Sequence, residues 1–123
     1  MSDALIVTMR DTFPYRGPDD QGKWIDADQQ LGFGHRRLSI IDPTPAGRQP
    51  MLDTDSGCRI VFNGEIYNYI EIAKELEKQG VVFSTHTDTE VILKAYAVYG
   101  QDCLQYFNGM FAFAIWNPAT KEI

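Results

Sequence analysis

Ile60-Val61-Phe62-Asn63-Gly64-Glu65-Ile66-Tyr67-Asn68-Tyr69 is the stretch on which the reading of this chain turns. β-branched and aromatic residues suit a pleated, half-buried strand, and an Asn-Gly pair interrupts them. The pattern predicts a strand from Cys58 to Phe62 that runs into a tight turn at Asn63-Gly64. One reading is a two-residue hairpin, because Asn-Gly tolerates positive φ at both central positions. The other is functional. The Asn63 side-chain amide and the Gly64 N–H would form a pair of donors at a strand end, able to hold an oxygen that turns negative as a carbonyl is attacked.

Downstream of this stretch the period changes. Ile72, Ala73 and Leu76 recur at helical spacing, Glu71, Lys74, Glu75 and Lys78 lie on the other side, and Gly80 stops the run. Residues 81–83 read as a short strand. Thr87-Asp88-Thr89-Glu90 has the form of a capping box, which predicts a second helix through Tyr99 with Gly100 past its end. Residues 101–107 read as a short third helix. Met110-Phe111-Ala112-Phe113-Ala114-Ile115-Trp116 is the most apolar run and predicts a strand buried on both faces. Asn117-Pro118-Ala119-Thr120 reads as a hairpin turn whose returning strand has barely begun at Ile123, so the chain reads as cut.

Upstream, residues 4–10 read as helical until Pro14 and Gly17-Pro18 end regular structure. An ordered loop is expected over 15–21, then strands over 22–26 and 31–41. Gly32 and Gly34 in the second strand predict a bulge or a close backbone approach. Pro43, Pro45, Gly47 and Pro50 make 42–55 a loop able to cover a site.

Composition narrows the classes. The 123 residues, 44% hydrophobic, are enough for one domain. The formal net charge is −6 and the eleven Lys and Arg are scattered apart from Arg36-Arg37, so nucleic acid is not expected as a partner. No apolar run reaches membrane-spanning length, no cleavable leader is visible, and the expected location is cytoplasmic. The two cysteines, Cys58 and Cys103, form neither a metal-type pair nor a disulfide framework. No metal site is expected.

The blocks YRGPDDQG at 15 to 22, GHRRLSIID at 34 to 42, FNGEIYNY at 62 to 69, TDTEVILKAY at 87 to 96 and GMFAFAIW at 109 to 116 stand in order. Together they resemble the class II glutamine amidotransferase domain of glutamine-hydrolysing asparagine synthetases, over nearly the whole chain. The resemblance implies an α+β fold, an N-terminal-nucleophile aminohydrolase-like sandwich of antiparallel sheets flanked by helices, here incomplete. It also implies roles for particular residues. Arg37 matches the clamp on the substrate carboxylate, Asn63 and Gly64 the oxyanion donors, and Glu65 with Asp88 the groups that receive the substrate α-ammonium. Arg16 lies in the matching loop, where a structural role is equally expected. Tyr15 stands where the family has histidine.

In the family a cysteine at the mature N-terminus attacks the glutamine amide, with its own α-amino group as base. No cysteine here matches it, and Met9, six residues before Tyr15, matches a methionine of the family helix that precedes the loop, so the family's first strand, with the nucleophile at its tip, is expected to have no counterpart here. The chain is therefore expected to be a partial domain, 1–123, inactive by itself. Ser2, Cys58 and Cys103 are all poorly placed to substitute. The resemblance implies glutamine as ligand, no cofactor for this domain, and a C-terminal synthetase domain using ATP and Mg2+ to amidate aspartate. Open strand edges imply self-association into homo-oligomers. The rival readings are a non-catalytic scaffold or binding domain of the same fold, and an amidotransferase domain serving a different acceptor.

Overall fold

In the computed structural model Ser2 opens the first helix, its hydroxyl accepting the Leu5 N–H at 3.4 Å and so satisfying one of the donors a helix start leaves orphaned. Residues 2–38 and 45–123 are described. They group into two units, Met1–Met51 and Leu52–Ile123, taken here in turn.

The first unit is helix α1 (Asp3–Arg10) over a hairpin of β1 (Asp20–Asp26) and β2 (Leu31–Arg37). The antiparallel register runs unbroken from Asp20 opposite Arg37 to Asp26 opposite Leu31, so β1 starts two residues before the strand expected from the sequence. Trp24 faces Phe33 across the pair with ring centroids 5.9 Å apart. Of the two outcomes expected for Gly32 and Gly34, the unbroken register leaves the close approach. A Cβ on Gly34 would lie 3.2 Å from the side chains of Ile6 and Arg10, which is how closely α1 sits on the strand. Ile6 is the buried residue of that helix. Ser39, Ile40 and Ile41 of the expected second strand, and 42–44 of the expected loop, lie outside the described residues. The rest of that loop holds a 3-10 turn, Pro45–Gly47, and a two-residue strand β3 (Met51–Leu52).

The second unit carries β4 (Arg59–Ile66), helices α2 (Tyr69–Lys78) and α3 (Asp88–Tyr99), a 3-10 helix Gly100–Tyr106, and β5 (Gly109–Trp116). The sheet order is β3-β4-β5, and β4 pairs antiparallel with β5 from Arg59 opposite Trp116 to Ile66 opposite Gly109. This overturns the tight turn expected at Asn63-Gly64. The strand passes straight through both residues, Gly64 at φ 137°. The β5 backbone lies so close that a Cβ on Gly64 would fall 2.1 Å from the Met110 carbonyl oxygen, so glycine serves strand approach and not chain reversal. Reversal comes at Tyr67-Asn68. Tyr67 N–H donates to the Asn108 carbonyl at 2.6 Å. The Asn68 side-chain amide donates to the Tyr106 carbonyl at 2.8 Å and accepts the Asn108 N–H at 2.9 Å.

Ile60, Phe62 and Ile66 alternate inward from β4. Helix α3, with Val91, Ile92, Leu93 and Ala95 buried, packs on β4 and on α2, whose Ile72 and Leu76 are buried too, each large aliphatic worth about 1.5–3 kcal/mol when fully buried. The expectation that β5 is buried on both faces fails. It stands at the end of the sheet order, Met110 is 75% exposed, and burial is reached only at Ile115 and Trp116. Its aromatic residues gather instead, Phe111 stacked on Phe113 at 5.9 Å with Phe107 edge-on to both. Residues 81–83 form no strand. The Val81 N–H continues the end of α2 by donating to the Leu76 carbonyl at 3.1 Å, and Val82 points into solvent. The expected third helix is of 3-10 type, with Tyr106 stacked back on Tyr99 at 4.4 Å. The expected terminal turn forms, the Asn117 N–H donating to the Glu122 carbonyl at 2.9 Å. Among the described residues no helix is long and apolar enough to cross a membrane.

Candidate functional site

In the second unit the end of β4 meets the start of α3. The Thr87 hydroxyl caps α3 by accepting the Glu90 N–H at 3.1 Å, as its Ser/Thr-x-x-Glu form predicts. Asp88, next in the chain, is buried, and its Oδ2 accepts the Ile66 N–H at 3.1 Å. One side chain thus ties the first turn of α3 to the residue after Glu65. Burial pushes the Asp88 carboxyl above its ordinary range. Backbone N–H groups of Ile66, Asp88 and Thr89 pull it partly back, while the charge of Glu65 raises it further. Beside it on β4, Asn63 and Gly64 are exposed and Glu65 is half-buried. The structure thus brings Asp88 to the end of β4 beside Glu65 and Ile66, with Asn63 and Gly64 preceding them on the same strand. A carboxyl that is desolvated and faces a second carboxylate is stabilised by any cation delivered there, and the positive end of α3 offsets only part of the charge.

Arg37 belongs to the first unit. It is buried near the end of β2, its Nη1 3.9 Å from Asp20 Oδ2, a long ion pair. Asp20 is held more closely by Arg48 at 2.8 Å, which chiefly accounts for its lowered pKa. The neighbouring Arg36 points the other way, as strand alternation requires. It donates to the Gly17 carbonyl at 3.0 Å, to Asp11 at 3.1 Å and to Gln21 at 2.8 Å, fastening the loop before β1. Arg10 and then Arg36 hold the Asp11 carboxyl down at about 2. Tyr15 and Arg16 occupy the 3-10 turn Pro14–Arg16, both exposed.

Both thiols are buried and unpaired. Burial pushes Cys103 up, and Asp102 adds to the shift, which is the opposite of what a nucleophile needs. The Cys58 N–H donates to Ser56 Oγ at 3.2 Å in the turn before β4. Two groups escaped the sequence reading. Glu90 was read only as the closing letter of a capping box. Lys94, which a charged residue's usual place would put outside, is buried on α3 against Asp53 at 2.7 Å. Its position between Ile92 and Ala95, on the face that turns inward, was the available signal.

The whole chain, residues 1–123, matches the profile of the glutamine amidotransferase domain. The chain belongs to the glutamine amidotransferase domain family. It is 48% identical over 115 residues to glutamine-hydrolysing asparagine synthetase 1 of Bacillus subtilis, covering 94% of this chain and 18% of that protein. To glutamine-hydrolysing asparagine synthetase 3 of the same organism it is 43% identical over 111 residues, covering 89% of this chain and 18% of that protein. The chain thus spans under a fifth of the length of each of these two relatives. Among solved structures it is similar to the glutamine phosphoribosylpyrophosphate amidotransferase of B. subtilis, with TM-score 0.61 and 25% identity over 72% of this chain and 21% of that one. The mixed α+β fold expected from the resemblance, with antiparallel sheets and helices, is the fold found.

Proposed function

We propose that this chain handles glutamine as the amidotransferase domain of a glutamine-hydrolysing asparagine synthetase. The observation that carries the reading is the meeting of Glu65, at the end of β4, with a buried Asp88 whose carboxyl is raised by burial and by Glu65, exposed Asn63 and Gly64 coming just before them in the chain. A ligand suited to it brings an ammonium for the carboxyl groups and a carbonyl for the amide donors. Glutamine has both. Asp88 and Glu65 then take the α-ammonium, and the role of clamping the α-carboxylate falls to Arg37 on the family resemblance alone, its guanidinium offering two parallel N–H donors. The Asn63 amide and the Gly64 N–H stabilise the side-chain oxygen as it becomes an oxyanion.

In this reading the thiol that the family carries at its N-terminus forms a C–S bond to the amide carbon. The C–N bond then breaks, ammonia leaves with the transferred proton, and water hydrolyses the thioester to glutamate. Cys58 and Cys103 take no part. The ammonia would serve a synthetase domain where ATP and Mg2+ activate aspartate, and none of the residues described here acts on either. A cytoplasmic location goes with such biosynthetic chemistry.

Calorimetric titration of the chain with L-glutamine tests the reading. Arg37→Ala should weaken binding about tenfold or more, as loss of a bidentate charged contact does. A chain that binds no glutamine, or binds it equally well without the guanidinium, would leave a scaffold of the same fold as the better account.

A further inference from the structure

The carboxylate of Glu90 is buried and does more than close a capping box. In the usual box it would accept the N–H of the cap residue. Here the Thr87 N–H is taken by Thr85 Oγ1 at 3.2 Å, and the carboxylate reaches two and three residues further back. It accepts the Ser84 N–H at 2.9 and 3.1 Å, the Thr85 N–H at 2.6 Å and the Thr85 hydroxyl at 2.8 Å. Thr85 and Thr87 hydroxyls lie 2.8 Å apart, and the Glu90 N–H returns to Thr87 Oγ1. Residues 84–87 are so wound into a closed ring on the first turn of α3. Asp88 is the residue between that ring and the rest of the helix.

We propose that Glu90 is a positioning residue for the ammonium site, its carboxylate gathering residues 84–87 so that Asp88 is presented in one orientation. The inference rests on the assignment of Asp88 to the α-ammonium. Charge-assisted bonds to several donors of one short segment restrict it more than a neutral acceptor does, and orientation of this kind is what binding a small ligand at several points demands. Asp88 has one oxygen on the Ile66 N–H, so its position depends on α3 starting where the ring makes it start. Glu90 itself touches no ligand in this account.

The test compares L-glutamine with 4-carbamoylbutanoate, which is glutamine without its α-ammonium, by calorimetry on the full chain. The measured quantity is the ratio of the two affinities. Glu90→Gln keeps the size of the side chain and one acceptor oxygen but removes the charge. Thr85→Val removes one donor of the ring and leaves Glu90 intact. Both variants should lower the ratio about fivefold while changing affinity for 4-carbamoylbutanoate less than about twofold. Glu90→Asp, which keeps the charge, should restore part of the ratio. A merely structural role would weaken both ligands together. Should Glu90→Gln fail to fold by circular dichroism, Thr85→Val decides. An unchanged ratio in a folded variant overturns the inference alone. A wild-type chain that does not discriminate, with Asp88→Asn equal to it, removes the ammonium site and the inference with it.

Discussion

Asp88 is a carboxyl that the fold holds at some cost. Its ordinary pKa is 3.8, and burial followed by the nearby Glu65 charge lifts it, against the pull of three backbone N–H groups. The folded chain therefore binds this proton more tightly than the unfolded chain. By linkage its contribution to stability is full below the unfolded value and is lost as pH rises through the raised folded one. Asp88→Asn cannot titrate and keeps one oxygen for the Ile66 N–H. The stability of wild type relative to this variant should therefore fall as pH rises from about 3 to neutrality. Urea unfolding of both proteins across that range measures it, and a gap that widens with pH would show a carboxyl stabilised in its charged form.

Helix α3 combines a polar start with an ion pair in its interior. Lys94 Nζ lies 2.7 Å from Asp53 Oδ1 and 3.0 Å from Asp55 Oδ2, the first carboxylate 3% exposed at its side chain and the second 83%. Burial works against both charges, yet their hydrogen bonds and charge attraction prevail. Lys94 ends raised and Asp53, also bonded by Ser56, ends lowered. Together they fasten the turn between β3 and β4 onto the helix. Lys94→Ala leaves Asp53 buried without this cation and should cost about 3 kcal/mol. Asp55→Ala, at an exposed end, should cost under about 1 kcal/mol. Chemical denaturation separates the two, and equal costs would place the pair's weight on the solvent side.

For the chain as a body, the exposed side of β5 matters most. Met110 is 75% exposed on a strand that, among the described residues, has β4 as its one neighbour in the order β3-β4-β5. A strand end with apolar side chains and unpaired backbone groups is a template for another copy. We expect concentration-dependent self-association, seen as a weight-average mass that rises with concentration in sedimentation equilibrium. Met110→Lys should weaken it about tenfold by putting a charge on the edge. A constant monomer mass for wild type would dismiss the idea.

The helices were legible because their signals are local. Thr87 before an apolar-periodic run, glycine after Lys78 and Tyr99, and Ile72 with Leu76 one turn apart need only neighbouring residues to act. The order of the five blocks likewise carries the resemblance to the family in consecutive residues. Asn63-Gly64 was misread because a turn and a pinched strand ask the same of glycine. What distinguishes them is the β5 backbone, more than forty positions downstream along β4's register. The same holds for Met110, whose run is apolar throughout but whose exposure depends on how many strands lie beside it, and for Lys94, whose burial depends on Asp53 arriving from another turn. Local propensity and hydrophobic period are properties of consecutive residues, and these the sequence determined. Which face is covered, which charge is paired and which carboxyl is desolvated depend on residues remote in the chain, and those were decided only when packing brought them together.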